Sequence, residues 1–170
     1  MENKTEVWLR GPVEGVPALL QPVAHALLQS NEEIHAMLNG FPQNRLWDKP
    51  ADAASVAFHL QHLPGVLDRL FSYSKGLPIN NTQLKYLSEE GLEVVGITKE
   101  QLLENLTTKI NESISYLKTV KPDTLTEVRT VGRKNLPSTV LGLLFHAAEH
   151  TMRHTGQLLV TTRILMYEPD

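Results

Sequence analysis

An all-α fold, a four-helix bundle, is what the sequence predicts, and three observations predict it. Four long segments repeat their apolar residues at helical spacing. No stretch alternates in the manner of a strand over a useful length, and Gly and Pro stand between the four segments where helices have to stop.

The first helix is expected over about Val13 to Leu38, with Leu19, Leu20, Val23, Leu27, Ile34 and Leu38 on one stripe and Gly40-Phe41-Pro42 to end it. The second is expected over about Ala51 to Lys75. Val56, Leu60, Leu63, Leu67, Leu70 and Phe71 share its face, and Gly76 and Pro78 stop it. Pro64 lies inside this pattern, removes a backbone hydrogen bond and should kink the helix or reset its start. The third runs from about Thr98 to Val120. Thr98-Lys99-Glu100-Gln101 has the form of a capping box, Leu102, Leu103, Leu106, Ile110, Ile114 and Leu117 form its stripe, and Lys121-Pro122 closes it. The fourth starts near Pro137-Ser138 and runs to about Met166 on a stripe of Val140, Leu144, Ala147, Thr151, Leu158 and Leu165. The connections from Gly76 to Ile97 and from Lys121 to Leu136 are long for tight hairpins, so at least one should cross the bundle end. Val128-Arg129-Thr130-Val131-Gly132-Arg133 can form a short extended piece within that crossover.

A chain of 170 residues with 41% hydrophobic and 21% charged residues is globular, and a single domain over residues 1–170 is the expectation. The net charge of −3 comes without a Lys/Arg cluster, which argues against a nucleic-acid partner. There is no cysteine, hence no disulfide, thiolate ligand or cysteine nucleophile, and any metal must be held by His and carboxylate. The polar, acidic start and the lack of a long apolar run speak against a secretion signal and a membrane span, so a soluble cytoplasmic protein is expected.

The chemistry gathers on histidine. Phe145 to Leu158 places His146, His150 and His154 at steps of four, which returns each to one helical face one turn on. His59 and His62 lie on the second helix, so a metal site between two packed helices is the first hypothesis. His150 and His154 fall at the edge of the apolar stripe, where a side chain can face inward and leave a coordination position open. By periodicity His59 lies nearer its own stripe than His62 and would be the partner ligand, although a kink at Pro64 blunts that angular argument. His25 and His35 are expected at the surface or rim. Gly156 in mid-helix costs roughly 1 kcal/mol relative to Ala. It marks either a close helix approach or a tolerated glycine. Gln157, on the same side as the histidines, either supports a ligand or is solvated.

A rival motif overlaps this run. His146-Ala147-Ala148-Glu149-His150 fits H-x-x-E-H, two zinc ligands with Glu149 as general base of a metallopeptidase. Such enzymes need a later acidic ligand, and Glu168 and Asp170 are the only carboxylates after it. A peptidase also needs a larger body. The di-iron bundles need a Glu-x-x-His on each of two helices, and that pattern is absent.

His150-x-x-x-His154-Thr155-Gly156-Gln157-Leu158 resembles the last-helix signature of the DinB-like (DinB/YfiT) superfamily, and His62-Leu63-Pro64-Gly65-Val66-Leu67-Asp68 resembles its second-helix signature. The resemblance implies a four-helix bundle in up-down-down-up order with a three-histidine site for a divalent metal, zinc or nickel. Carried over position by position, it implies the ligands His62, His150 and His154. It thus selects His62 over His59, against the periodicity, and gives His146 no ligand role. Several members of the family are transferases that use a low-molecular-weight thiol. The expectation is therefore a metal-dependent thiol transferase. Its alternatives are a metal-dependent hydrolase on the same site and a non-enzymatic dimeric bundle. A homodimer is expected because Val13, Val16, Leu19, Leu20, Val23, Leu27 and Leu28 give the first helix more apolar residues than one stripe needs.

Overall fold

The computed structural model describes residues 5–167, and the described chain is mostly helical, with five α-helices and one short pair of strands. α1 is Gln21–Met37, α2 Val56–Ser74, α3 Asn81–Glu89, α4 Lys99–Leu117 and α5 Val140–Met166. α1 and α2 each contact both α4 and α5, and α3 packs against α2. The core between the four long helices is built from Leu27 and Ile34, Leu60, Leu63 and Leu67, Leu106 and Ile110, and Leu144 and Leu158, all fully buried. No helix is long and apolar enough to cross a membrane among the described residues.

The helix starts differ from the periodic pattern, and local chemistry explains each difference. α1 begins at Gln21, not near Val13: Gly11 and Gly15 have positive φ, and Pro17 pushes the residue before it away from helix. Pro22 sits in the first turn, where its missing N–H costs nothing. Leu19, expected on the stripe, is 64% exposed. α2 begins five residues after Ala51. Ala51 and Asp52 have positive φ, and the Ser55 side chain accepts a hydrogen bond from the Phe58 N–H at 3.1 Å as N-cap. The helix continues through Pro64, which neither stops it nor sets its start.

Two connections carry structure. The capping box at Thr98 and Gln101 forms as expected and starts α4. A second capping box, Asn80 with Gln83, starts α3 within the first long connection, where no helix is expected from apolar periodicity. Val128–Val131 is strand β1, paired antiparallel with β2, Leu136–Thr139, in the register Val128↔Thr139 and Val131↔Leu136. Pro137 and Ser138 therefore lie in β2, not in the last helix. The Thr139 side chain accepts from the Gly142 N–H at 3.0 Å and turns the strand directly into α5.

Candidate metal centre

α2 carries Phe58, His59 and His62, and α5 carries His146, His150 and His154. The structure brings His62, His150 and His154 together: one ring nitrogen of each lies within 4.8 Å of the others, and the group can hold a metal ion. His62 Nε2 stands 2.9 Å from His150 Nε2. The His154 ring lies 4.6 Å from that of His62 and 4.5 Å from that of His150, centroid to centroid.

The electrostatics favour neutral rings at His150 and His154. Burial, then the neighbouring His62 and further charges, push His150 down to about 4. Burial and then His62 and His150 push His154 down to about 3. Near pH 7 both rings keep a lone pair free, which is the form that binds a metal. His150 Nδ1 is buried without a hydrogen-bond partner. Its Nε2 and that of His62 face each other and have at most one proton to share comfortably. Imidazoles converging in this way, with an unsatisfied nitrogen, fit a divalent metal ion.

Outer contacts hold two of the three rings. His62 Nδ1 meets Glu90 Oε2 at 2.7 Å, and Arg69 Nη1 donates to Glu90 Oε1 at 2.6 Å. Burial alone would raise the Glu90 carboxyl, but the hydrogen bonds from His62 and Arg69 outweigh it and hold the group low. His154 Nδ1 lies 3.0 Å from His59 Nδ1, and the Phe58 ring stacks on His62 at 5.2 Å and 10°.

The remaining candidates separate cleanly. His59 is 1% exposed and lies outside the group of three, although it touches His154. His146 is exposed, with its Nδ1 3.3 Å from Glu149 Oε2, and it too lies outside the group. Glu149 also pairs with Arg153. The H-x-x-E-H pair is thus split, and Glu168 and Asp170 lie outside the described residues. His25 contacts the Gly11 carbonyl and exposed His35 the Thr107 hydroxyl, both remote from the cluster. Gly156 allows no close helix approach: a Cβ there would meet nothing within 4 Å. Gln157 is exposed.

Sequence reasoning missed Glu90. It follows α3 on a connection, 28 residues from His62, and periodicity carries no information about such a contact. The available signal was the Asn80–Gln83 capping box, which announces α3 and so a folded path toward α2.

A family model described as the DinB superfamily matches residues 4–158. Among solved structures, the crystal structure of a conserved protein from Enterococcus faecalis superposes with a TM-score of 0.72 at 22% identity. The match covers 86% of this chain and 96% of that one, and at this identity it speaks for the fold alone. No functionally curated protein matches the sequence.

Proposed function

We propose that this chain, which belongs to the DinB superfamily, holds a divalent ion, zinc or nickel, on His62, His150 and His154, and transfers a low-molecular-weight thiol to an electrophilic substrate. The observation that carries the reading is the convergence of three ring nitrogens within 4.8 Å, a group that no further His, Asp or Glu joins among the described residues. Structural zinc is usually closed by four protein ligands, whereas three leave a position for substrate. A divalent ion held there supplies Lewis acidity that lowers the pKa of a thiol or water beside it. The protein's own part is to present neutral imidazoles, with His59 behind His154 and Phe58 covering one side of His62. The thiol half of the reading rests on the family resemblance, and it puts the protein in the cytoplasm, where such thiols stay reduced.

The same reading takes residues 1–170 as one domain in up-down-down-up order. In its support, His59 meets His154 while His62 meets His150, the sense of antiparallel helices. Asp68 meets Lys109 while Phe71 meets Tyr116, the sense of parallel ones. Leu38 meets Lys99 while Asn31 meets Thr107, again antiparallel. The homodimer stands on different residues from those of the sequence argument. Val16, Leu20, Val23 and Leu27 are spent in the protein's own core, and Val13 and Leu28 pack against it. Among the exposed apolar residues a second copy could cover are Trp8, Leu9 and Leu19, and Phe145, Val160 and Ile164 of α5.

Metal analysis of untagged protein tests the centre: about one equivalent of zinc or nickel is expected. Protein that neither retains nor takes up a divalent ion would sink the proposal. Turnover that needs no added thiol would replace the transferase by the hydrolase.

A further inference from the structure

We infer that Glu90 is the positioning residue of this centre: its carboxylate accepts the Nδ1 proton of His62 and so fixes the ring with Nε2 bare toward His150 and His154. The inference rests on the metal-site reading for its consequence, but its geometry stands apart from any ion. Glu90 is 5% exposed at its side chain, and its two oxygens are divided, one on His62 and one on Arg69. Arg69 Nη1 therefore anchors the carboxylate from the far side and keeps it charged and oriented. An imidazole whose Nδ1–H is held by a carboxylate has its tautomer and rotation set, and Nε2 is left as the ligand atom.

Everything around Glu90 is arranged to bring it there. Gln83, in the first turn of α3, donates to the Asp68 carboxylate at 2.7 Å and to the Ser72 hydroxyl at 2.8 Å, which moors α3 on α2. The Tyr86 hydroxyl donates to the Gln61 carbonyl at 2.8 Å. Gln61 Oε1 accepts the Gly91 N–H at 2.8 Å, so the residue after Glu90 is tied to the residue before His62. Gly65 supplies the space. A Cβ there would stand 2.6 Å from Tyr86 Cε1 and 2.9 Å from Arg69 Nη1, and would run into Glu90 Oε1 as well. The absence of a side chain at residue 65 lets Glu90 and Arg69 meet against the α2 backbone one turn beyond His62. The short helix thus has a task that its own apolar residues do not explain, since Leu84 and Leu87 are exposed.

Two measurements test this in the parent and in Glu90→Ala, Glu90→Gln and Gly65→Ala. The first is the His62 tautomer in metal-free protein, read from imidazole nitrogen shifts by NMR; the second is affinity for Zn2+ by competition titration. In the parent, His62 should carry its proton on Nδ1 before any metal is added. Glu90→Ala and Gly65→Ala should mix the tautomers and weaken Zn2+ binding by about 10–100-fold. Glu90→Gln keeps an acceptor oxygen without the charge and should fall between. A folded Glu90→Ala or Gly65→Ala variant with the parent tautomer and parent affinity overturns the inference. If Glu90→Ala does not fold, the isosteric Glu90→Gln decides it by the same two readouts. If the parent binds no Zn2+, the metal-site reading fails, while the tautomer still decides what Glu90 does to His62.

Discussion

α5 closes two interfaces with adjacent residues, and they solve opposite problems. Toward α1, Thr155 meets Ser30 hydroxyl to hydroxyl at 2.6 Å and donates to the Thr151 carbonyl at 2.9 Å, among fully buried Leu27, Ile34 and Ala147. Every polar group there has a partner inside the protein. Toward α2, His154 joins His62 and His150 in a cluster whose His150 Nδ1 has none. Buried polar groups are ordinarily paired, so a cluster left short of partners marks where something from outside belongs. The first interface holds the bundle together. The second brings together three histidines that can hold a metal ion.

The largest separation between the two should come from truncating each. On the proposed metal site, His154→Ala or His150→Ala should lower metal affinity by more than the roughly 10–100-fold that loss of an outer partner costs. Ser30→Ala should leave metal content unchanged and cost about 1 kcal/mol of stability, since Thr155 keeps its bond to the Thr151 carbonyl. Metal analysis and denaturant unfolding of both variants give the comparison. Metal loss in Ser30→Ala, or its full retention in His154→Ala, would erase the distinction.

Acid should act on the histidine interface first. His150 and His154 sit at about 4 and about 3 in the folded protein against an ordinary value of 6.5, with His59 at about 4. Between 6.5 and about 4 the unfolded chain binds more protons than the folded one, so stability falls as pH falls through this window. Metal-free protein should show a lower Tm at pH 5 than at pH 7.5. Below the ordinary carboxylate value of 4.5, protonation of Glu90, whose carboxyl is held low in the fold, removes stability in the same direction. Bound metal should steepen the loss, because protons compete for the same nitrogens. A Tm that is flat between pH 7.5 and 5 would show that these rings are not held neutral by burial.

The two interfaces were unequally legible. The apolar stripes of α2, α4 and α5 could be read directly, because a buried face repeats at the helical period, and every residue placed on them is buried. The starts of α1, α2 and α5 could not, because Ser55, Thr139 and the positive φ values at Gly11, Gly15 and Ala51 set them locally, within an apolar pattern that continues past the cap; among the four long helices only the Thr98 capping box announced a start, that of α4. The contest between His59 and His62 is the sharpest case. Periodicity ranks His59 as the more inward residue, and His59 is indeed the one fully buried. A position that is sealed, however, is not one that faces an open site; His62 on the rim of the same face joins His150 and His154. The motif resemblance carried that information and the stripe did not. Glu90 was legible to neither, because its contact with His62 is made by a connection folding back.

The smallest effect should come from Glu149→Gln, although Glu149 neighbours His150 in sequence and would be the general base in the H-x-x-E-H reading. Its carboxylate is turned to Arg153 one turn on and to exposed His146, and both lie on the outer side of α5. The Arg153 hydrogen bond is the main reason its carboxyl lies below the usual range. A base that must deprotonate water beside the metal has to aim at the histidine cluster; Glu149 Oε1 is taken by Arg153, and Oε2 lies beside His146 without a hydrogen bond. Gln keeps the shape and one acceptor oxygen for Arg153. Metal stoichiometry and turnover of Glu149→Gln should therefore match the parent, in contrast to His154→Ala. Loss of turnover in Glu149→Gln with metal retained would give Glu149 a proton-transfer role and move the chemistry from the α2–α5 cleft to the outer face of α5.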